Sequence, residues 1–394
     1  MLFQTLDDKK ECVGVYLNDE LSFNQDLSED LTHTWSYSGF LRNRDIEYAK
    51  LYCGGATLDM ACPEALMERW ERSSDKLRAL IKSFATACVP LDENCFFDLV
   101  PEKFLIEFCQ VKNQICEHVF ENCEKPKNYD YLVSLSEIIE DMKYRKLNIN
   151  QKNLSMFKPD HRKFVKTLKQ ITHSCKFNIY GTKTGRLTTE PKSFPILTLK
   201  KELRCVIEPH NDYFVELDYN AAELRTLIAL QGKPQPEGDL HDWNIQNVFR
   251  GLGTRDEAKK RIFAWLYNPE SDDYLASRAY DRDSVVQKYF TEGQVITFWD
   301  KVIPSEKRTA LNYIIQSTCA ESVLRQMIKV SDHLKGCKSY VAFPIHDSIV
   351  LDLSEEEREK LPEIIEIFSN TALGKFKVNV SVGTNFGNLK RLTV

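Results

Sequence analysis

A mixed α+β protein of two or three domains is what the sequence predicts, and three observations carry that expectation. Strand-like runs rich in β-branched and aromatic residues occur at both ends of the chain and around residue 215, while the stretches between them space apolar residues at three and four. The length of 394 residues, at about 150 per domain, gives two or three domains. Hydrophobic residues make up 42% and charged residues 28%, a balance that supports a sizeable core. Glycine and proline together stay near about 7% against a usual level of roughly 12%, which excludes collagen-like and low-complexity architectures. No apolar run approaches the roughly 18 residues of a membrane span. The start, Met1 to Asp8, lacks the basic and apolar regions of a signal peptide, so a soluble intracellular protein without a membrane partner is expected.

Residues 1–61 hold short alternating stretches such as Cys12-Val13-Gly14-Val15-Tyr16 between Asn- and Asp-rich turns, and they predict a small β-containing N-terminal element of unassigned role. From 62 to 170 the period is helical, as in Ala65–Trp70, Lys76–Ile81 and Phe104–Phe108, with Glu124–Asn128 as a connector. Tyr213–Leu217 reads as a buried strand ending at Asp218, and Ala221–Leu230 as a helix. A long helical region then runs to about Leu334, interrupted at Asn268-Pro269 and by a variable stretch near 270–300. Tyr340–Ile345 and Ser348–Leu353 read as strands flanking His346-Asp347. A helix at about 355–373 and a strand from Phe376 to Val382 close the chain.

Charge is unevenly distributed. The whole chain carries −5, yet residues 1–60 alone hold eleven acids and five bases. Residues 141–176 hold ten Lys and Arg against only Asp141 and Asp160, and residues 171–210 hold seven bases against three acids. Such a band is either a groove that tracks a phosphate backbone or a solvated helix face. Twelve cysteines occur without a Cys-x-x-Cys pair. Cys109, Cys116 and Cys123 repeat every seven residues along one helical stripe, and His118, the only fourth ligand nearby, lies off it. Reduced core thiols are expected there, not zinc.

The sharpest local signal lies between Thr254 and Tyr267. Thr254-Arg255-Asp256-Glu257 forms a capping box that starts a helix. Arg255, Lys259, Phe263 and Tyr267 follow at i+4 spacing and share one side. Two cations near a helix N-terminus with two aromatics beyond them outline a platform for a nucleoside triphosphate, or else an amphipathic helix with solvated cations. Asp218 and Asp347, both at strand ends, would hold a pair of divalent ions if brought together; each is equally a familiar turn or cap residue.

Taken together these residues resemble the motifs of family A DNA polymerases, the DNA polymerase I type. Asp218-Tyr219-Asn220-Ala221-Ala222-Glu223-Leu224-Arg225 is similar to motif A, Arg255-x3-Lys259-x3-Phe263-x3-Tyr267 to motif B, and His346-Asp347 to motif C. Thr184-Gly185-Arg186-Leu187-Thr188-Thr189 is similar to the family's TGRLSS segment, and Asp239-Leu240-His241 to its D-I-H. Arg308, Asn312 and Gln316 fall at i, i+4 and i+8, as on the family's template- and primer-contacting helix. The motifs keep the family's order over about residues 176–390, and the compact bacteriophage members are the most similar.

The resemblance implies a right-hand architecture. Residues 62–170 would form a helical thumb, 171–230 and 335–394 an antiparallel palm, and 231–334 helical fingers. It implies template-directed DNA synthesis from dNTPs on primer–template DNA with two Mg²⁺ ions, or Mn²⁺ in their place. Asp218, Asp347 and the Tyr219 carbonyl would ligate the metals. Arg255, Lys259 and His241 would hold the triphosphate, and Phe263 and Tyr267 the nascent base pair. Glu223 would exclude the ribose 2′-hydroxyl. Arg186, Arg308, Asn312, Gln316 and His346 would line the duplex, and the basic 141–176 stretch would lie along its path. Too few residues precede the thumb for a nuclease domain, so no intrinsic proofreading is expected, and a separate exonuclease or replisome proteins would be the partners. A bacterial cytoplasm follows if the origin is a phage.

Three departures from the family pattern stand out. Ser348 follows Asp347 where DNA polymerase I has glutamate, which removes a nearby carboxylate and is similar to single-subunit phage RNA polymerases. Ala221-Ala222 replaces the frequent Gln-Ile, and Asn268-Pro269 replaces a glycine after Tyr267. An RNA-polymerising enzyme with the same palm and a catalytically inactive DNA-binding protein are the rival readings.

Overall fold

The structure is a computed structural model that describes residues 4–8, 12–23, 29, 31–35, 37, 46–91, 94–150, 152–153, 164, 166, 168, 171 and 173–392. Two compact units divide the chain, Met1–Tyr144 and Arg145–Val394.

In the first unit, β1 (Gln4–Asp8), β2 (Cys12–Leu17) and β3 (Glu20–Ser22) pair as an antiparallel sheet. Asn18 and Asp19 turn β2 into β3 with φ of 50° and 64°, a left-handed conformation their short polar side chains tolerate. Three longer helices follow, α1 (Glu64–Thr86), α2 (Glu102–Asn122) and α3 (Tyr129–Tyr144). Pro63 and Pro101 stand at the starts of the first two, where a missing amide hydrogen costs nothing. Trp70 of α1 packs with Phe104, Phe108 and Ile115 of α2 in one core. Cys109 and Cys116 lie in the buried stripe, while Cys123 falls just past the helix end. Burial pushes both buried thiols up to about 12, so they are unreactive packing groups. His118 is engaged by the Asn122 amide at 3.1 Å.

The second unit is organised on a five-stranded antiparallel sheet. Its members in chain order are β4 (Tyr213–Tyr219), then β5 (Tyr340–Ile345), β6 (Ser348–Leu353), β7 (Val378–Gly383) and β8 (Lys390–Leu392). In space the order is β5-β6-β4-β7-β8, so β4 is central and fully paired. Phe214, Phe343 and Phe386 meet on one face with centroids 5.2 to 6.4 Å apart. Between β4 and β5 the chain forms α4 (Ala222–Leu230), α5 (Leu240–Asn247), α6 (Arg255–Tyr267) and the 27-residue α7 (Lys307–His333). The last of these packs on α4, β5 and β6. No described helix is long and apolar enough to cross a membrane.

Several expectations need correction. The variable stretch near 270–300 is two short helices, Tyr274–Ala279 and Arg282–Tyr289, followed by a small sheet of Phe290–Thr291, Gln294–Ile296 and Val302–Pro304. The helix expected over 355–373 is only α8 (Leu361–Ser369), preceded by a 3₁₀ turn at Glu355–Lys360. Pro362 has no amide hydrogen to give a preceding turn, so the α-helix starts with it. Strand β8 was not foreseen, because three residues give too short a pattern to read.

Much of the basic 141–176 stretch, including Lys158, Arg162, Lys163 and Lys169, lies outside the described residues. Two of its described cations serve internal contacts. Lys143 pairs with Glu140 at 2.6 Å, and the Arg145 guanidinium lies 3.8 Å over the Tyr340 ring.

Candidate active site

The register of the central sheet brings together two acids that are far apart in sequence. Asp218 lies opposite Ser348 across the β4–β6 pair, so the two-residue His346-Asp347 turn between β5 and β6 stands beside it. The Tyr219 amide donates to the Asp347 carbonyl at 3.4 Å, and His346 takes φ of 50° to close the turn. Asp218 accepts from Asn379 Nδ2 at 3.3 Å. Burial pushes the Asp218 carboxyl up to about 6, and the charges of Glu216 and Asp347 add to the rise. Burial also raises Asp347, with Glu223 adding and Arg186 opposing.

Mutual repulsion between half-buried carboxylates is the situation a divalent cation relieves. Among the described residues no group of three or more His, Cys, Asp or Glu is placed to hold an ion. Magnesium fits a sparser site, because it is commonly held by one or two carboxylates with the remaining oxygens from water and substrate phosphates. The donor set here suits it: Asp218, Asp347 and the Tyr219 carbonyl are all hard oxygens. The Tyr219 side chain itself is occupied elsewhere, stacked on Phe368 at 4.4 Å with its hydroxyl donating to the Phe368 carbonyl at 2.5 Å.

A second cluster centres on Glu223 in the first turn of α4. Ala221 precedes that helix in a left-handed conformation, φ 54°, which turns the chain sharply off β4. Arg186 donates to Glu223 at 2.5 Å and lies 3.8 Å from Asp347, and the Tyr267 hydroxyl also donates to Glu223. Glu223, Arg186, Tyr267 and Asp347 therefore form one contiguous polar network. Arg186 shares the wall of a small pocket with His346, Ala320 and Pro344.

Helix α6 carries the third group. Its capping box is present, with Thr254 and Glu257 satisfying each other's backbone amides. Arg255 donates to Asp239, the residue that caps α5, at 2.8 Å. Phe263 lies 6.1 Å from both the Tyr267 and His241 rings. Lys259 is exposed, and its charge reaches both Asp218 and His241. Burial lowers the His241 pKa, and the neighbouring cations Arg255 and Lys259 lower it further. Its buried Nδ1 has no partner among the described residues.

Arg308, Asn312 and Gln316 lie along the first half of α7, with Arg308 exposed and the other two half-buried. Asn312 Oδ1 is buried without a partner.

Residue reading missed the groups that hold these clusters in place. Arg225 is fully buried in α4 and donates to Asn220, Pro236 and Gly238, fixing the segment that leads to Asp239. Asn220 in turn binds Asp239 Oδ2 at 2.8 Å and the Leu240 amide at 2.9 Å. A lone arginine inside the apolar run Leu224–Leu230 was the available signal.

The family model for DNA polymerase family A matches residues 276–390, a span that includes Arg308, Asn312, Gln316, His346 and Asp347. The DNA polymerase of Mycobacterium phage L5 is 26% identical over 189 residues, covering 40% of this chain and 31% of that protein. Over these spans the chain is similar to family A DNA polymerases. A further similar protein, the DNA polymerase of Bacillus phage SP01, is 23% identical over 295 residues, covering 55% of this chain and 32% of that protein. The chain thus spans about a third of the length of the curated polymerases it matches. Among solved structures, the polymerase domain of Pol1 from M. smegmatis, in complex with DNA primer-template and dNTP, covers 71% of this chain and 55% of its own, at 16% identity and a TM-score of 0.45.

Proposed function

We propose that this chain is a template-directed DNA polymerase that adds dNTPs to a primer 3′ end by two-metal-ion nucleotidyl transfer. The observation that carries the reading is the meeting of Asp218 and Asp347 at adjoining strand ends, where each raises the need for a cation. Two Mg²⁺ ions, or Mn²⁺ in their place, would activate the primer 3′-hydroxyl and neutralise charge on the transferred phosphate. Asp218, Asp347 and the Tyr219 carbonyl would hold them.

Lys259, which is exposed, would bind the triphosphate, and Arg255 would share its guanidinium between Asp239 and a phosphate oxygen. His241 would donate a hydrogen bond to the same group. Phe263 and Tyr267 would present flat faces to the nascent base pair. Glu223, held by Arg186 and the Tyr267 hydroxyl, would occupy the space of a ribose 2′-hydroxyl. Arg308, Asn312, Gln316, His346 and Arg186 would contact primer–template DNA. The helices within 62–170 would act as the thumb, and the basic stretch that follows would give binding a steep salt dependence. The 394 residues themselves would not proofread. A phage-encoded enzyme of this kind would act in the bacterial cytoplasm.

Ser348 favours a second reading, an RNA-polymerising enzyme, and Glu223 opposes it. Primer extension with Mg²⁺, run separately with dNTPs and rNTPs, decides between them. Extension with dNTPs supports the proposal, preferential use of rNTPs supports the second reading, and extension with neither removes both.

A further inference from the structure

Glu216 stands two positions before Asp218 on β4, so strand alternation places both side chains on one face of the sheet. Across the strand pair, Ser348 lies opposite Asp218 and Val350 opposite Glu216. The contact that matters is diagonal. The Ser348 hydroxyl lies 3.3 Å from Glu216 Oε1 and 3.0 Å from the Ile345 carbonyl, both within hydrogen-bond reach of its one proton. Ser348 is buried at 2% exposure and Glu216 is half-buried.

A half-buried carboxylate needs a compensating partner. Among the described residues no Lys or Arg forms an ion pair with it, and the hydrogen bond it receives comes from Ser348. Among the described residues its direct partner is a serine hydroxyl, on the residue that immediately follows Asp347. A carboxylate kept without a cationic partner beside Asp218 costs stability, and a nearby cation would recover that cost.

We infer that Glu216 is a positioning residue of the metal site, supplying from β4 the negative charge that a glutamate at position 348 would supply from β6. Its role has two parts: its charge favours cations at the Asp218–Asp347 pair, and its bond with Ser348 steadies the turn that carries Asp347. Partners of this outer kind typically change metal affinity by about tenfold to a hundredfold. The inference rests on the polymerase reading of the site.

The test is Mn²⁺ titration of the full chain with a 3′-dideoxy-terminated primer–template, following free Mn²⁺ by electron paramagnetic resonance, so that no turnover is needed. Glu216→Gln should weaken Mn²⁺ binding by about tenfold. Relocating the carboxylate in a Glu216→Ser, Ser348→Glu double variant should restore it, an outcome that a merely structural role for Glu216 does not produce. Unchanged affinity in Glu216→Gln, or a loss that the relocated carboxylate fails to recover, overturns the inference. Asp218→Asn separates the two levels of the argument. If it weakens Mn²⁺ binding while Glu216→Gln does not, only the role of Glu216 falls; if Asp218→Asn has no effect, the metal-site reading falls with it.

Discussion

Glu223 is the residue on which most of the site converges, since Arg186, Tyr267 and, through charge, Asp347 all bear on it. Removing its side chain opens the space beside the sugar and releases both partners. Glu223→Ala should therefore raise rNTP incorporation relative to dNTP incorporation by roughly tenfold to a hundredfold, the range of a single lost pocket contact. Single-nucleotide kcat/KM values for both substrates measure it, and an unchanged ratio removes Glu223 as the gate. Asp239 gives a pH-dependent signature. Burial alone would raise its carboxyl, but the hydrogen bond from Arg255 and the capping amides of Asp242 and His241 outweigh that and bring it to about 2. A depressed carboxyl adds stability that is fully present above its unfolded value of about 3.9 and is lost as pH falls through about 2. Asp239→Asn keeps a good helix cap but removes the charge. It should cost about 1 kcal/mol at neutral pH, discounted for the exposed Arg255, and should flatten the loss of stability between about pH 4 and pH 2 in urea unfolding.

Helix α6 shows how far an element can be read from its residues and where reading stops. Its start was legible, because the Thr254–Glu257 capping box is a local pattern that the structure reproduces. The face shared by Arg255, Lys259, Phe263 and Tyr267 was legible for the same reason. Its end was not. Where Asn268-Pro269 replaces a glycine, Arg282 from the next but one helix reaches back to the carbonyls of Asn268, Pro269 and Ser271 at 2.9 to 3.0 Å and also binds that of Trp265. A distant side chain that closes a helix end leaves no periodic trace. Arg282→Ala should destabilise the protein by about 2 kcal/mol, since it strips charged hydrogen bonds from several carbonyls at once. Denaturant unfolding checks the size, and a loss within error of zero would show that water replaces the guanidinium freely. Strand β4 divides in the same way. The run Tyr213–Asp218 announced a buried strand, but pairing register decides that Ser348 and Asn379 lie opposite Asp218. Register depends on contacts more than a hundred residues apart, which no window on the sequence contains.

Across the whole chain, an antiparallel sheet with β4 at its centre fixes the distance between two acids from opposite ends of the second unit. The helices between them carry the cations and rings that would meet a nucleotide, and the buried Arg225 and Asn220 tie those helices back to the sheet. The α+β class, the strands flanking His346-Asp347 and the family motifs could all be read in advance, because each is a local pattern. The division of the chain at Tyr144 and the extra small sheet near 290–304 could not, because both are set by packing. If the account is right, the two acids act on the transition state and contribute little to duplex affinity. The most direct measurement is single-turnover dNTP incorporation by Asp218→Ala and Asp347→Ala, with primer–template affinity determined in parallel by fluorescence anisotropy. Each variant should lose roughly a thousandfold or more in incorporation rate, since metal stabilisation is worth several kcal/mol, while binding DNA nearly as the parent does. Incorporation near the parent rate in either variant would contradict the two-metal assignment.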